Sequence, residues 1–126
     1  MPKILIVDDE KKARSLYKRL LASETYEVLE ADGCEAASQI LMEESDVELV
    51  LLDINMPMLD GGVLYRLVRM LDSRIKVIVM SAYPLQDQKD RIVRADDYFD
   101  KSQGIGVLLE KVRAVLNAQE EPHAHT

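Results

Sequence analysis

The chain has 126 residues, 48% hydrophobic and 31% charged, with 23 acidic against 16 basic side chains and a formal net charge of −7. That is the length of one domain with a proper core. The acidic balance argues against a direct nucleic-acid grip, which needs a basic face, and no apolar run approaches the ~20 residues a membrane span requires.

No charged-apolar-small leader opens the sequence, so secretion is not indicated. The single Cys34 cannot close an internal disulfide, which agrees with a reducing cytoplasm. With no His or basic residue beside it, it reads as an inert, partly buried thiol.

Strand and helix signals alternate five times. Lys3–Val7 is a short β-branched run, and Glu10–Ala22 then sets Ala13, Leu16, Tyr17, Leu20 and Leu21 at helical spacing. The basic residues Lys11, Lys12, Arg14, Lys18 and Arg19 read as that helix's solvated side. Tyr26–Ala31 is a weaker strand, and Gly33 opens a second helix striped with Ala36, Ala37, Ile40 and Leu41. Val47–Leu52 is the strongest strand. Met56 and Pro57 break the chain, and from about Leu59 a third helix carries Leu64, Leu67, Val68 and Leu71.

Ile75–Met80 is again almost wholly apolar. Leu85–Arg94 is a poor fourth helix, with Leu85, Ile92 and Val93 as its main apolar content, and it is expected to be the least ordered. Asp97–Asp100 is a brief strand with Tyr98 and Phe99 to bury. A fifth helix over Gly104–Leu116 has the clearest stripe: Ile105, Leu108, Leu109, Val112, Val115 and Leu116. The domain is therefore set at residues 1–117. Residues 118–126 are expected to be a polar, frayed tail, with His123 and His125 read as solvated.

Such alternation implies a parallel sheet with helices on both faces. Strands one, three and four are the most apolar and belong in the centre; two and five are polar enough for edges. The expected fold is a flavodoxin-like (βα)5 doubly wound α/β sheet in the order 2-1-3-4-5. Strand one then neighbours strand three at the switch point, and Asp8, Asp9 and Asp53 meet at the carboxyl ends of the strands.

Three carboxylates gathered there call for a hard cation, and oxygen ligands of this kind suit Mg²⁺. A carboxylate is also a competent nucleophile towards phosphorus, and phosphoryl transfer needs little beyond alignment and charge neutralisation. Lys101 after strand five can neutralise one phosphoryl oxygen, and the Ser81 hydroxyl after strand four can hydrogen-bond another.

Five features in order carry a family likeness. They are Asp8 and Asp9; the stretch Asp53-Ile54-Asn55-Met56-Pro57-Met58-Leu59-Asp60-Gly61; Ser81 and Ala82; Tyr98; and Lys101. Together the chain from about residue 3 to 117 resembles the receiver domain of bacterial response regulators. The resemblance implies Asp53 as phosphoacceptor, charged from a phosphohistidine on a sensor histidine kinase or phosphotransfer protein. It implies Asp9 and Asp53 as Mg²⁺ ligands, Asp8 acting mainly through a bound water, and the Asn55 main-chain carbonyl completing the set. Lys101 would contact the phosphoryl group, Ser81 would swing towards it, and the Tyr98 ring would move inward behind it. A downstream protein partner would read the change on the face of the fourth helix, fifth strand and fifth helix; homodimerisation stays open.

Asn55 and Tyr83 stand two residues beyond Asp53 and Ser81, where related domains tune hydrolysis of the acyl phosphate. Bulky Tyr83 is expected to slow it by shielding phosphorus. Ser102 follows Lys101 where many relatives have proline, which leaves a cis peptide there in doubt. Arg94 and Ala95 stand where a Gly-Ala pair is frequent, which bears on the turn into strand five.

Other readings compete. Taken alone, Asp8, Asp9 and Glu10 could simply face a helix dipole. A flavin module needs a phosphate cradle after strand one, which these acids would repel. An aspartate-nucleophile phosphatase would share the chemistry, but that class usually carries its nucleophile on the first strand beneath a cap, with no room for one here. A receiver used only for docking would not need the full acid, hydroxyl and lysine set. The expectation is thus a phosphorylation-controlled switch that modifies itself, without metabolite turnover. No DNA-binding helices follow residue 117, so a complete regulator should act through a protein contact, whereas a fragment should lack output alone.

Overall fold

The computed structural model describes residues 2–55, 61–72, 74–82 and 95–120. In chain order these form β1 (Lys3–Val7), α1 (Lys11–Ala22), β2 (Glu27–Ala31), α2 (Cys34–Glu43), β3 (Val47–Asp53), α3 (Gly61–Leu71), β4 (Lys76–Ser81) and β5 (Asp97–Asp100). A 3₁₀ turn over Lys101–Gln103 and a C-terminal helix, Ile105–Glu120, complete them. The expected fourth helix, Leu85–Arg94, lies outside the described residues, as do Tyr83 and Met56–Asp60.

The strands make one parallel five-stranded sheet in the order β2-β1-β3-β4-β5. Apolar content placed them. β1, β3 and β4 are buried nearly end to end, whereas β2 is mostly half-buried and both ends of β5 stay partly exposed.

Because successive side chains point to opposite faces, each central strand feeds two cores. Leu5, Val7, Val50, Leu52, Val77, Val79 and Tyr98 face Ala37, Leu41 and Val68 from α2 and α3. Ile4, Ile6, Leu49, Leu51, Ile78, Met80 and Phe99 face Tyr17 and Leu21 of α1 and Leu108, Val112, Val115 and Leu116 of the C-terminal helix. A register shift between Lys3 and Ile4 against β3 is the one irregularity in the described pairings.

Three stripe residues expected inside are more open. Leu16, Leu71 and Ile105 are all above a third exposed, because they sit at the margin of their apolar stripe or at a helix end. The C-terminal helix also runs on to Glu120, into the segment expected to be frayed. Ala118, Gln119 and Glu120 are good helix formers, which carries the helix past its last core residue.

Candidate functional site

Two carboxylates end central strands at the switch point. Asp8 follows β1 and is fully buried; Asp53 is the last residue of β3 and is 2% exposed. Asp9 is exposed. The three offer carboxylate oxygens all within 4.8 Å of one another. The sequence expectation that distant acids converge here is met in the fold.

Buried carboxylates this close need a counter-charge. Lys101 supplies it from across β4: its Nζ lies 2.9 Å from Asp8 Oδ2 and 3.0 Å from Asp53 Oδ2. The remaining oxygens are also held. Asp8 Oδ1 accepts the Glu10 main-chain N–H at 2.9 Å, and Asp53 Oδ1 accepts that of Asn55 at 2.8 Å. Burial pushes the Asp53 carboxyl up from its ordinary pKa; the Asn55 N–H and the Lys101 charge pull the other way, and Asp8 adds to the rise. For Lys101 burial opposes the charge, but bonding to Asp8 and the field of Asp53 outweigh it and hold the ammonium above the ordinary lysine value.

Ser81 ends β4 fully buried, in register with Asp100, while Met80 beside it is in register with Asp53. The Asn55 side-chain carbonyl accepts the Ala82 N–H at 2.8 Å, which ties the loop after β3 to the end of β4. The Tyr98 ring is 9% exposed and already packed inward with Tyr65, Val68 and Ala95, and burial raises its phenol pKa. Of the expected site residues, Tyr83 alone lies outside the described residues.

Two features escaped the sequence reading. The turn after Lys101 is built by a capping box: Asp100 accepts the Ser102 N–H at 2.9 Å and its hydroxyl at 2.7 Å, while Gln103 Oε1 accepts the Asp100 N–H. Asp at a cap position with Gln three residues on is a readable signal, which the short 3₁₀ turn disguised. No cis peptide occurs among the described residues, so Lys101–Ser102 is trans. The other is Arg14, whose guanidinium donates to the Asp8 carbonyl at 2.7 Å. Nothing local in the sequence marks that contact.

All donors gathered here are oxygens, with neither imidazole nor thiol among them, which fits a hard divalent cation. Fold and site define a class: doubly wound domains with a buried acid pair, an exposed third acid and a lysine at the switch point. The chain belongs to the response regulator receiver domain family, whose profile matches residues 4–113.

It is 35% identical over 120 residues to the transcriptional regulatory protein PrrA of Mycobacterium tuberculosis, a match covering 91% of this chain and 50% of that protein. It is 37% identical over 131 residues to the transcriptional regulatory protein AruR of Pseudomonas aeruginosa, covering 94% and 52%. The chain thus spans about half the length of the curated relatives it matches. Among solved structures it is similar to the response regulator TrrA of Thermotoga maritima in complex with Mg²⁺-BeF, with TM-score 0.81, 34% identity and coverage of 91% and 99%. A CheY-like receiver domain from Methanospirillum hungatei gives TM-score 0.87, 30% identity and coverage of 95% and 97%.

Proposed function

We propose that this receiver domain takes a phosphoryl group onto Asp53 in a Mg²⁺-dependent reaction, from a phosphohistidine on a sensor histidine kinase or phosphotransfer protein. The observation that carries the proposal is the Lys101 ammonium set between Asp8 and Asp53, with Asp9 within reach of both acids.

An Asp53 carboxylate oxygen attacks phosphorus; the new P–O bond forms as the P–N bond to the donor imidazole breaks, and the imidazole departs with that electron pair. Burial raises the Asp53 pKa, and Lys101 and the Asn55 N–H act against that rise in favour of the nucleophilic carboxylate. Lys101 already bonds both acids and can turn its ammonium to a phosphoryl oxygen, while the Ser81 hydroxyl at the next strand end offers a further donor. Asp9 and Asp53 would hold Mg²⁺, with Asp8 acting through water and the Asn55 carbonyl as a further ligand. Bound there, the ion supplies neutralisation of the carboxylates and of the phosphoryl oxygens. Later attack of water on phosphorus returns the carboxylate, so the domain modifies itself and turns over no metabolite.

Output through a face that includes β5 and the C-terminal helix, to a protein partner or a second copy, belongs to the same proposal, as does work in the cytoplasm. Among the described residues no helix is long and apolar enough to cross a membrane. PrrA and AruR are named transcriptional regulators, so this domain acting as the receiver part of such a regulator is a compatible setting.

The test is labelling by a small-molecule phosphodonor with and without Mg²⁺, parent against Asp53→Asn. Label should appear only in the parent, only with Mg²⁺, and stop at one phosphoryl group per chain. Equal labelling of both proteins would remove Asp53 from the reaction, and repeated turnover of a phosphate ester would favour a phosphatase.

A further inference from the structure

Asp8 is held from four directions. Its N–H donates to Ala31 O at 3.1 Å, its Oδ1 accepts the Glu10 N–H, its Oδ2 accepts Lys101, and its carbonyl accepts Arg14 Nη1 at 2.7 Å. The first three bonds fix the residue itself. The fourth fixes the peptide that leads from Asp8 into Asp9. Asp9 is the exposed member of the three acids, so the backbone that carries it sets where its carboxylate points.

Arg14 is suited to that work. Its side chain is only 15% exposed, and its Nε donates to Glu30 Oε1 on β2 at 3.3 Å. Glu30 is gripped again by Lys18, at 3.3 Å through its other oxygen. Glu30 and Ala31 lie in register with Ile6 and Val7, so one planar guanidinium braces α1, the end of β1 and the edge strand together. We infer that Arg14 is a positioning residue for the cation site: clamped by Glu30, it orients the Asp8–Asp9 peptide and thereby pre-sets the Asp9 carboxylate. This rests on the reading of Asp8, Asp9 and Asp53 as the cation ligands.

Charge makes the idea testable by sign. A guanidinium near a cation site repels the cation, so electrostatics alone has its removal tighten binding. A positioning role has the opposite effect, because outer-shell partners orient the ligands they touch.

The measurement is Mg²⁺ binding by calorimetry, repeated with Mn²⁺ by electron paramagnetic resonance, on the unphosphorylated full chain. Parent, Asp9→Asn, Arg14→Gln and Arg14→Lys are compared, with urea midpoints taken alongside. The parent should bind, Asp9→Asn should lose binding, and both Arg14 variants should bind about tenfold more weakly. The lysine variant keeps the charge and the stem, so its loss reports the lost two-pronged geometry. Unchanged affinity in Arg14→Lys, or unchanged or tighter binding in Arg14→Gln, overturns the clamp while leaving the cation site standing. A lowered urea midpoint with parental affinity marks a merely structural arginine and also overturns it. Failure of the parent to bind, or full binding by Asp9→Asn, overturns the cation reading and the clamp with it.

Discussion

Two lysines at opposite ends of the sheet are each held by carboxylates, and only one of them is at a site. At the amino end Lys3 reaches Glu44 at 2.8 Å, Asp46 at 2.7 Å and Glu27 at 3.6 Å. Those acids are 38 to 68% exposed, so water competes for each of the carboxylates that Lys3 meets. At the carboxyl end Lys101 meets Asp8 and Asp53, whose side chains are 0% and 3% exposed. Similar chemistry in two solvents gives two outcomes. Near water the pairing adds little. Buried, it leaves charges that no solvent can satisfy and that an incoming ligand can use.

The largest effect should follow loss of the lysine that meets the buried acids. Lys101→Met leaves two carboxylates without their cation and should destabilise the domain by about 3 kcal/mol, read from urea unfolding at neutral pH. A loss no greater than that of Lys3→Met would abolish the contrast.

Asp53→Asn should move the other way, raising stability by about 1 kcal/mol at neutral pH. The sign follows from burial, which raises the folded-state pKa of Asp53 above its unfolded value. Charged Asp53 therefore opposes folding at high pH, and the opposition fades as pH falls through the folded pKa. Parent and variant should converge once pH drops below about 4, where the unfolded carboxyl also protonates. A stability gap independent of pH would show that burial of charge is not its cause.

Tyr83→Ala should shorten the phosphoryl half-life a few-fold by opening phosphorus to water. An unchanged half-life would dispose of the shielding idea. Lys3→Met should be the smallest, with an unfolding midpoint close to the parent's and unchanged labelling.

Much of this was legible in the residues. The apolar grading of Lys3–Val7, Val47–Leu52 and Ile75–Met80 against Tyr26–Ala31 and Asp97–Asp100 orders the sheet, because burial on both faces demands continuous apolar runs. That order alone brings Asp8 beside Asp53. Contacts made across elements were not legible. Arg14 looks like one more solvated base on α1, and only the placement of Glu30 on the neighbouring edge strand turns it inward. The lysine's seat between both acids depends on the reach of its side chain across β4, which no spacing encodes. The inward ring of Tyr98 likewise depends on Tyr65 and Val68 of α3 lying opposite.

The domain thus carries its own countercharge at rest. A phosphoryl group brought to Asp53 would find an ammonium already bonded on both sides, so its arrival would be a change of partners and its departure would restore the old ones. A rim arranged in this way can be reset many times without any strand having to part from its neighbour.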